Sequence, residues 1–169
     1  MKVFTLQRQQ LIPASRAEVF EFFSRPENLA SLTPSGLGFD ILTPSPIAMK
    51  QGTLIDYTIR VASIPVRWTT LITNFSSLAE FVDVQLKGPY SFWHHTHEFS
   101  EVDGGTQMTD TVRYAMPFGI LGSIVRALFV RRQLETIFDF REQRLKEIFP
   151  LEERIPVISQ RSYTRRKKR

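Results

Sequence analysis

Apolar residues recur at helical spacing through Gly119–Phe149, at Ile120, Ala127, Leu134, Phe138, Leu145 and Phe149. The spacing predicts one long helix of about 45 Å, at roughly 1.5 Å per residue. Leu121, Ile124, Val125 and Leu128 add a second apolar face to its first half only, and Arg131, Arg132 and Gln133 interrupt it. A rod of that length needs a broad apolar surface to lie on.

The preceding chain supplies one. Val3–Ile12 reads as a first strand ended by Pro13. Ser15-Arg16-Ala17-Glu18 has the form of a capping box opening a helix over Arg16–Ser24, with Val19, Phe20 and Phe23 on its buried side. Pro26 then starts a second short helix, Pro26–Leu32, which Thr33-Pro34-Ser35-Gly36 ends. Six further strands follow at hairpin spacing: Leu37–Leu42, Thr53–Val61, Val66–Phe75, Glu80–Lys87, Ser91–Val102 and Thr106–Met116. Pro44-Ser45-Pro46, Ser63-Ile64-Pro65, Ser76-Ser77, Gly88-Pro89 and Asp103-Gly104-Gly105 separate them. Sequential antiparallel pairing of these strands, closed by the long helix, is an α+β architecture.

The last hairpin carries the most chemistry. With a two-residue Asp103-Gly104 turn, Phe99 pairs with Met108, His97 with Asp110, His95 with Val112 and Trp93 with Tyr114. A Gly104-Gly105 turn would change the partners and break the His97–Asp110 pair without altering either strand's own alternation. Alternation then puts Trp93, His95, His97, Phe99, Met108, Asp110, Val112 and Tyr114 on one face, assigned to the helix side. Phe92, His94, Thr96 and Glu98 fall on the other, with His94 expected to be exposed. Ile55, Tyr57, Ile59 and Val61 face inward on the same argument, as do Val66, Trp68, Thr70 and Ile72. Glu80–Lys87 fits two alternations, and its aliphatic set, Val82, Val84 and Leu86, is placed inside.

Composition bounds the function. The 14 phenylalanines in 169 residues are bulky apolar walls for a core or a cavity. With no cysteine, disulfides, thiol nucleophiles and cysteine metal sites are excluded, which accords with a cytoplasmic location. MKVFTLQRQQ lacks the apolar run of a signal peptide, and no stretch reads as a transmembrane helix. Of 22 basic and 17 acidic residues, 7 and 2 lie beyond Phe149. The body is therefore neutral, and the net charge of +5 belongs to residues 150–169. This basic tail is expected to be a flexible appendage, with weak contact of Arg161–Arg169 to anionic lipid or nucleic acid as its candidate role.

Three segments resemble a known family. They are Ser15-x-x-x-Val19-Phe20-x-Phe22-Phe23-Ser24-x-Pro26-Glu27-Asn28-Leu29 with Leu32-Thr33-Pro34; Gly88-Pro89-Tyr90-x-x-Trp93-x-His95-Thr96-His97-x-Phe99; and Asp103-Gly104-Gly105-Thr106-x-Met108-Thr109-Asp110, leading into Leu128–Leu134. Over residues 1–149 the chain resembles the START-like polyketide cyclase/dehydrase superfamily, or SRPBCC, of the bacterial ligand-binding type. The resemblance implies a helix-grip fold: a seven-stranded antiparallel sheet around a C-terminal helix, two short helices after the first strand, and a cavity between helix and sheet. Family members carry lipids, polyketides, quinones or hormones, and a minority catalyse cyclisation or aromatisation. They share no single catalytic motif, so no catalytic residue carries over.

The expected function is binding or transport of a small hydrophobic or amphipathic ligand by Tyr57, Trp68, Trp93, His95, His97, Asp110, Tyr114, Leu134 and Phe138. The tyrosine and tryptophan polar tips are candidates to fix a ligand oxygen. One alternative is a cyclase/aromatase-like enzyme with His97 and Asp110 as the acid/base pair. Another is a module that docks through the tail. His95, His97 and Asp110 make a crude metal-ligand count, but no further His or Cys shares their face. No metal and no cofactor are expected. Gly36-Leu37-Gly38 lacks the rest of a nucleotide motif, and Walker, HExxH and GxSxG signatures are absent.

Overall fold

The computed structural model describes residues 1–61, 64–117 and 120–151, with backbone alone for 61 and 120–128. Among these residues the strands are β1 (Phe4–Ile12), β2 (Asp40–Ile41), β3 (Leu54–Val61), β4 (Ile64–Ser76), β5 (Glu80–Lys87), β6 (Phe92–Val102) and β7 (Gly105–Ala115). The helices are α1 (Arg16–Phe23) and α2 (Ile120–Ile148). One seven-stranded sheet runs in the order β1-β7-β6-β5-β4-β3-β2, and every pairing is antiparallel. Only β1 leaves sequence order, crossing to pair with β7.

The capping box forms. Ser15 N donates to Glu18 Oε2 at 3.0 Å, and Glu18 N donates to Ser15 Oγ at 3.3 Å. The second helix, Pro26–Leu32, is a 3₁₀ segment. The expected strand Leu37–Leu42 shrinks to Asp40–Ile41, because Ser35–Leu37 makes a 3₁₀ turn and Gly38 adopts φ +52°. The β6–β7 register follows the expected pairs from Trp93–Tyr114 to Phe99–Met108.

Helix α2 is tied to the sheet edge and to the 3₁₀ segment. Arg8 pairs with Asp139 at 3.0 Å, Gln10 Nε2 donates to the Glu142 carbonyl, and Arg144 Nε donates to the Ser31 carbonyl. Its inward stripe is Val130, Leu134, Phe138, Arg141 and Leu145. The second apolar face, Leu121, Ile124, Val125 and Leu128, lies outside the residues whose side chains are described.

Two apolar clusters result. One gathers Val19, Phe20, Leu32, Phe81, Phe99 and Leu145 beneath α1; the other gathers Leu6, Val112, Tyr114, Val130, Leu134 and Phe138. Phenylalanine rings of the first touch edge to face or stacked, as in Phe20 with Phe99 at 5.3 Å. These phenylalanines fill the α1 end and leave the space farther along the sheet to other side chains.

Candidate functional site

Between the sheet, the 3₁₀ segment and α2 lies a cavity of about 200 Å³. Inward alternation on β3 and β4 brings Ile55, Tyr57, Ile59, Trp68, Thr70 and Ile72 to its wall. Aromatic rings form one side of it. Tyr57 stacks on Trp68 at 5.8 Å, and Trp68 meets Trp93 edge-on at 5.1 Å. Tyr90, which sequence reasoning missed, packs on Trp93 at 4.9 Å. From α2 come Gln133, Leu134, Ile137, Phe138 and Arg141.

The aromatic polar tips are already engaged. Trp68 Nε1 donates to Thr70 Oγ1 at 3.1 Å, and Tyr57 OH lies 3.3 Å from that same oxygen. Trp93 Nε1 donates to Asp83 Oδ1 at 3.3 Å. Trp68, Tyr57 and Trp93 thus supply apolar wall, in place of the ligand-directed donors anticipated. Burial pushes the Tyr57 and Tyr90 hydroxyls well above the usual phenol range, so both stay protonated.

A charged cluster closes one end. Its members are Asp83 on β5, His95 and His97 on β6, Asp110 on β7 and Arg141 on α2. His95, His97, Asp110 and Arg141 are each 6–7% exposed. His95 and His97, two apart on one strand, project on the same face with ring centroids 3.8 Å apart. His97 stacks on Phe81 at 4.2 Å, and His95 meets Phe138 edge-on at 5.9 Å, so the rings bridge the two apolar clusters.

The carboxylates flank this ring pair. His95 Nε2 donates to Asp110 Oδ1 at 2.8 Å, and His97 Nε2 donates to Asp83 Oδ2 at 3.0 Å. The remaining nitrogens are turned to the opposite carboxylates. His95 Nδ1 lies 3.4 Å from Asp83 Oδ2, and His97 Nδ1 lies 2.9 Å from Asp110 Oδ1. The His97 Nδ1 approach is too poorly directed for a hydrogen bond and is chiefly Coulombic. His97 and Asp110 are register partners as expected, but the directed bonds run His95 to Asp110 and His97 to Asp83.

Electrostatics follow. Burial opposes charge on His97, but Asp110 and Asp83 outweigh it and raise its pKa. For His95, burial and the neighbouring His97 prevail and its pKa falls. Burial likewise opposes charge on Asp83 and Asp110. The histidines nevertheless hold both carboxyls below the usual range, with Trp93 helping at Asp83 and Arg141 at Asp110. The favoured state is two carboxylates, one imidazolium, one neutral imidazole and one guanidinium, which is neutral overall.

Several expectations need correction. Asp110 does not line the cavity; it sits behind the histidines, 3.5 Å from Arg141 Nη1. Tyr114 is 1% exposed and packs in the core on Phe4 and Tyr90, away from the cavity wall. On β5 it is Phe81 and Asp83 that face the cavity, while Leu86 is exposed. Irregularities in the β4–β5 register and the two imidazoles facing Asp83 favour that orientation. His94 is half-buried against Phe92. Arg141 was missed because a search for apolar residues skips it, although it stands three residues after Phe138 on the same stripe. The tail residues Arg161–Arg169 lie outside the described residues.

The chain matches the family described as polyketide cyclase / dehydrase and lipid transport over residues 12–140. It belongs to that family. Ara h 8.0201 superposes with a TM-score of 0.59 at 15% identity, over 86% of this chain and 99% of that one. CV1439 from Chromobacterium violaceum gives 0.66 at 11% identity, over 88% and 98%. A nucleoside-diphosphate sugar epimerase from Corynebacterium glutamicum gives 0.63 at 22% identity, over 84% of this chain but 28% of that one. These likenesses establish the helix-grip fold shared by the polyketide cyclase / dehydrase chain and its structural neighbours. No curated protein matches its sequence. Among the described residues no helix is long and apolar enough to cross a membrane.

Proposed function

We propose that this protein binds a small apolar or amphipathic molecule in the cavity between sheet and α2, as a carrier or sensor. The observation that carries the reading is the cavity itself. A void of roughly 150 Å³ holds a benzene-sized molecule, and this one is about 200 Å³ with aromatic and aliphatic walls. Apolar ligand surface buried there contributes about 25 cal/mol per Å² before ordering costs. Arg141 supports an oxygen-bearing end on the ligand. It is a largely buried cation bordering the cavity, where an acceptor oxygen on the ligand is favoured over a wholly apolar end.

A carrier reading is favoured over acid/base catalysis by His97 and Asp110. All four ring nitrogens of His95 and His97 face carboxylates, which leaves none directed at a substrate proton.

The test is titration with a neutral naphthylamine probe, read by probe emission and by fluorescence of Trp68 and Trp93. Wild type is expected to bind one equivalent. Ile59→Phe, which extends a wall residue into the void, is expected to weaken binding at least about tenfold, since 1.4 kcal/mol of lost burial is a factor of ten. Equal binding by the two proteins would place the probe elsewhere and overturn the reading.

A further inference from the structure

The two stacked imidazoles converge on one carboxylate oxygen, Asp83 Oδ2. An ionised carboxylate only accepts, so the 2.8 Å bond to Asp110 fixes the His95 proton on Nε2. The ring centroids lie 3.8 Å apart, and His95 Nδ1 lies 3.4 Å from Asp83 Oδ2. His97 Nε2 approaches the same oxygen at 3.0 Å.

We propose that Asp83 Oδ2, His95 Nδ1 and His97 Nε2 bind a divalent first-row transition metal ion such as zinc. The three residues come from adjacent strands, and each offers one ligand atom within 4.8 Å of those of the other two. Zinc bonds of about 2.0–2.1 Å at tetrahedral angles separate ligand atoms by about 3.3–3.4 Å. The separations of 3.0 and 3.4 Å from Asp83 Oδ2 match that spacing closely. Binding releases the His97 Nε2 proton to solvent, and Asp83 Oδ2, His95 Nδ1 and His97 Nε2 each bond the cation.

The surroundings complete the site. Trp93 Nε1 holds Asp83 Oδ1, leaving Oδ2 for the metal. His95 Nε2 donates to Asp110, the outer carboxylate that orients a metal-bound imidazole. Arg141 lies on the Asp110 side and does not contact Asp83 among the described residues. All three ligand side chains border the cavity, so a fourth coordination position opens onto it. That arrangement suits an apolar molecule carrying an oxygen donor. The sequence conceals the site because Asp83 comes from β5, outside the β6–β7 hairpin that carries His95, His97 and Asp110.

The test uses metal ions alone, so its outcome is separate from that for the organic ligand. Full-length protein stripped with EDTA is titrated with Co²⁺ and then Zn²⁺, followed by cobalt visible absorption and calorimetry. One equivalent with tetrahedral-type absorption is expected. The isosteric Asp83→Asn and the His97→Ala variant are expected to weaken binding at least about 100-fold, and His94→Ala is expected to leave it unchanged. Imidazole resonances of wild type give a second reading that needs no variant. Of the three histidines, the His95 and His97 signals shift on adding Zn²⁺ and that of His94 does not. Failure of folded wild type to take up one equivalent overturns the proposal. So does uptake that leaves the His95 and His97 signals in place, or that survives Asp83→Asn.

Discussion

Replacing Asp110 by Asn keeps the shape of the side chain and removes one buried negative charge. In the wild-type cluster, Asp83 and Asp110 balance His97 and Arg141, so the variant leaves an excess positive charge among groups 6–7% exposed. Arg141 Nη1 is 3.5 Å from Asp110 Oδ1, and a pair at that distance attracts by about 5 kcal/mol at an effective dielectric of 20. Desolvation offsets part of that attraction. Losing one partner of a buried pair typically costs about 3–5 kcal/mol. For a domain of this size, that lowers Tm by roughly 6–20 °C at 2–4 °C per kcal/mol. The assay is urea and thermal unfolding of both proteins in EDTA at pH 5 and pH 8. The deficit is expected to be smaller at pH 8, where His97 releases its proton more readily and restores neutrality. A variant within about 0.5 kcal/mol of wild type, the scatter of an ordinary surface change, would refute this account of the cluster.

Three further outcomes follow from the same structure. Asp83 and Asp110 have folded pKa values below the ordinary carboxylate value. Their contribution is complete above the unfolded value of about 3.9 and is lost as pH falls through the lower folded values. Wild-type stability should therefore drop below about pH 4 in urea titrations, and an unchanged slope in Asp110→Asn would count against it. Gly105→Ala should destabilise strongly in urea unfolding, since its Cβ would lie 2.1 Å from the Ile12 carbonyl oxygen at φ +144°; Gly104→Ala, with no atom within 4 Å of its Cβ, should cost less. Leu145→Ala, at a site 1% exposed between α2 and the α1 cluster, should cost about 2–5 kcal/mol in the same assay.

The hairpin β6–β7 was legible because its turn and alternation fix register together, so a one-residue slip would bury Glu98 and expose Phe99. On β3 and β4, alternation likewise made Ile55, Tyr57, Ile59, Trp68, Thr70 and Ile72 legible as inward residues, while the Val61 side chain lies outside the described residues. Strand β5 was not, because Phe81-Val82-Asp83-Val84 is apolar on one alternation and half-polar on the other. The half-polar face went inward, since Asp83 finds two imidazoles and an indole N–H there. Arg141 escaped for a related reason. Periodicity locates a buried stripe by counting apolar residues, and a buried cation on that stripe looks like an interruption. Such positions, where local polarity conflicts with placement, mark the candidate site.

The most direct test of a ligand-carrying cavity is native mass spectrometry of freshly purified protein, with organic extraction of the bound fraction. The account predicts one reproducible added mass of small-molecule size, released on denaturation and lost from Ile59→Phe. The contradicting result is the same added mass on wild type and Ile59→Phe alike, or protein that stays at its apo mass when incubated with apolar compounds sized to the cavity.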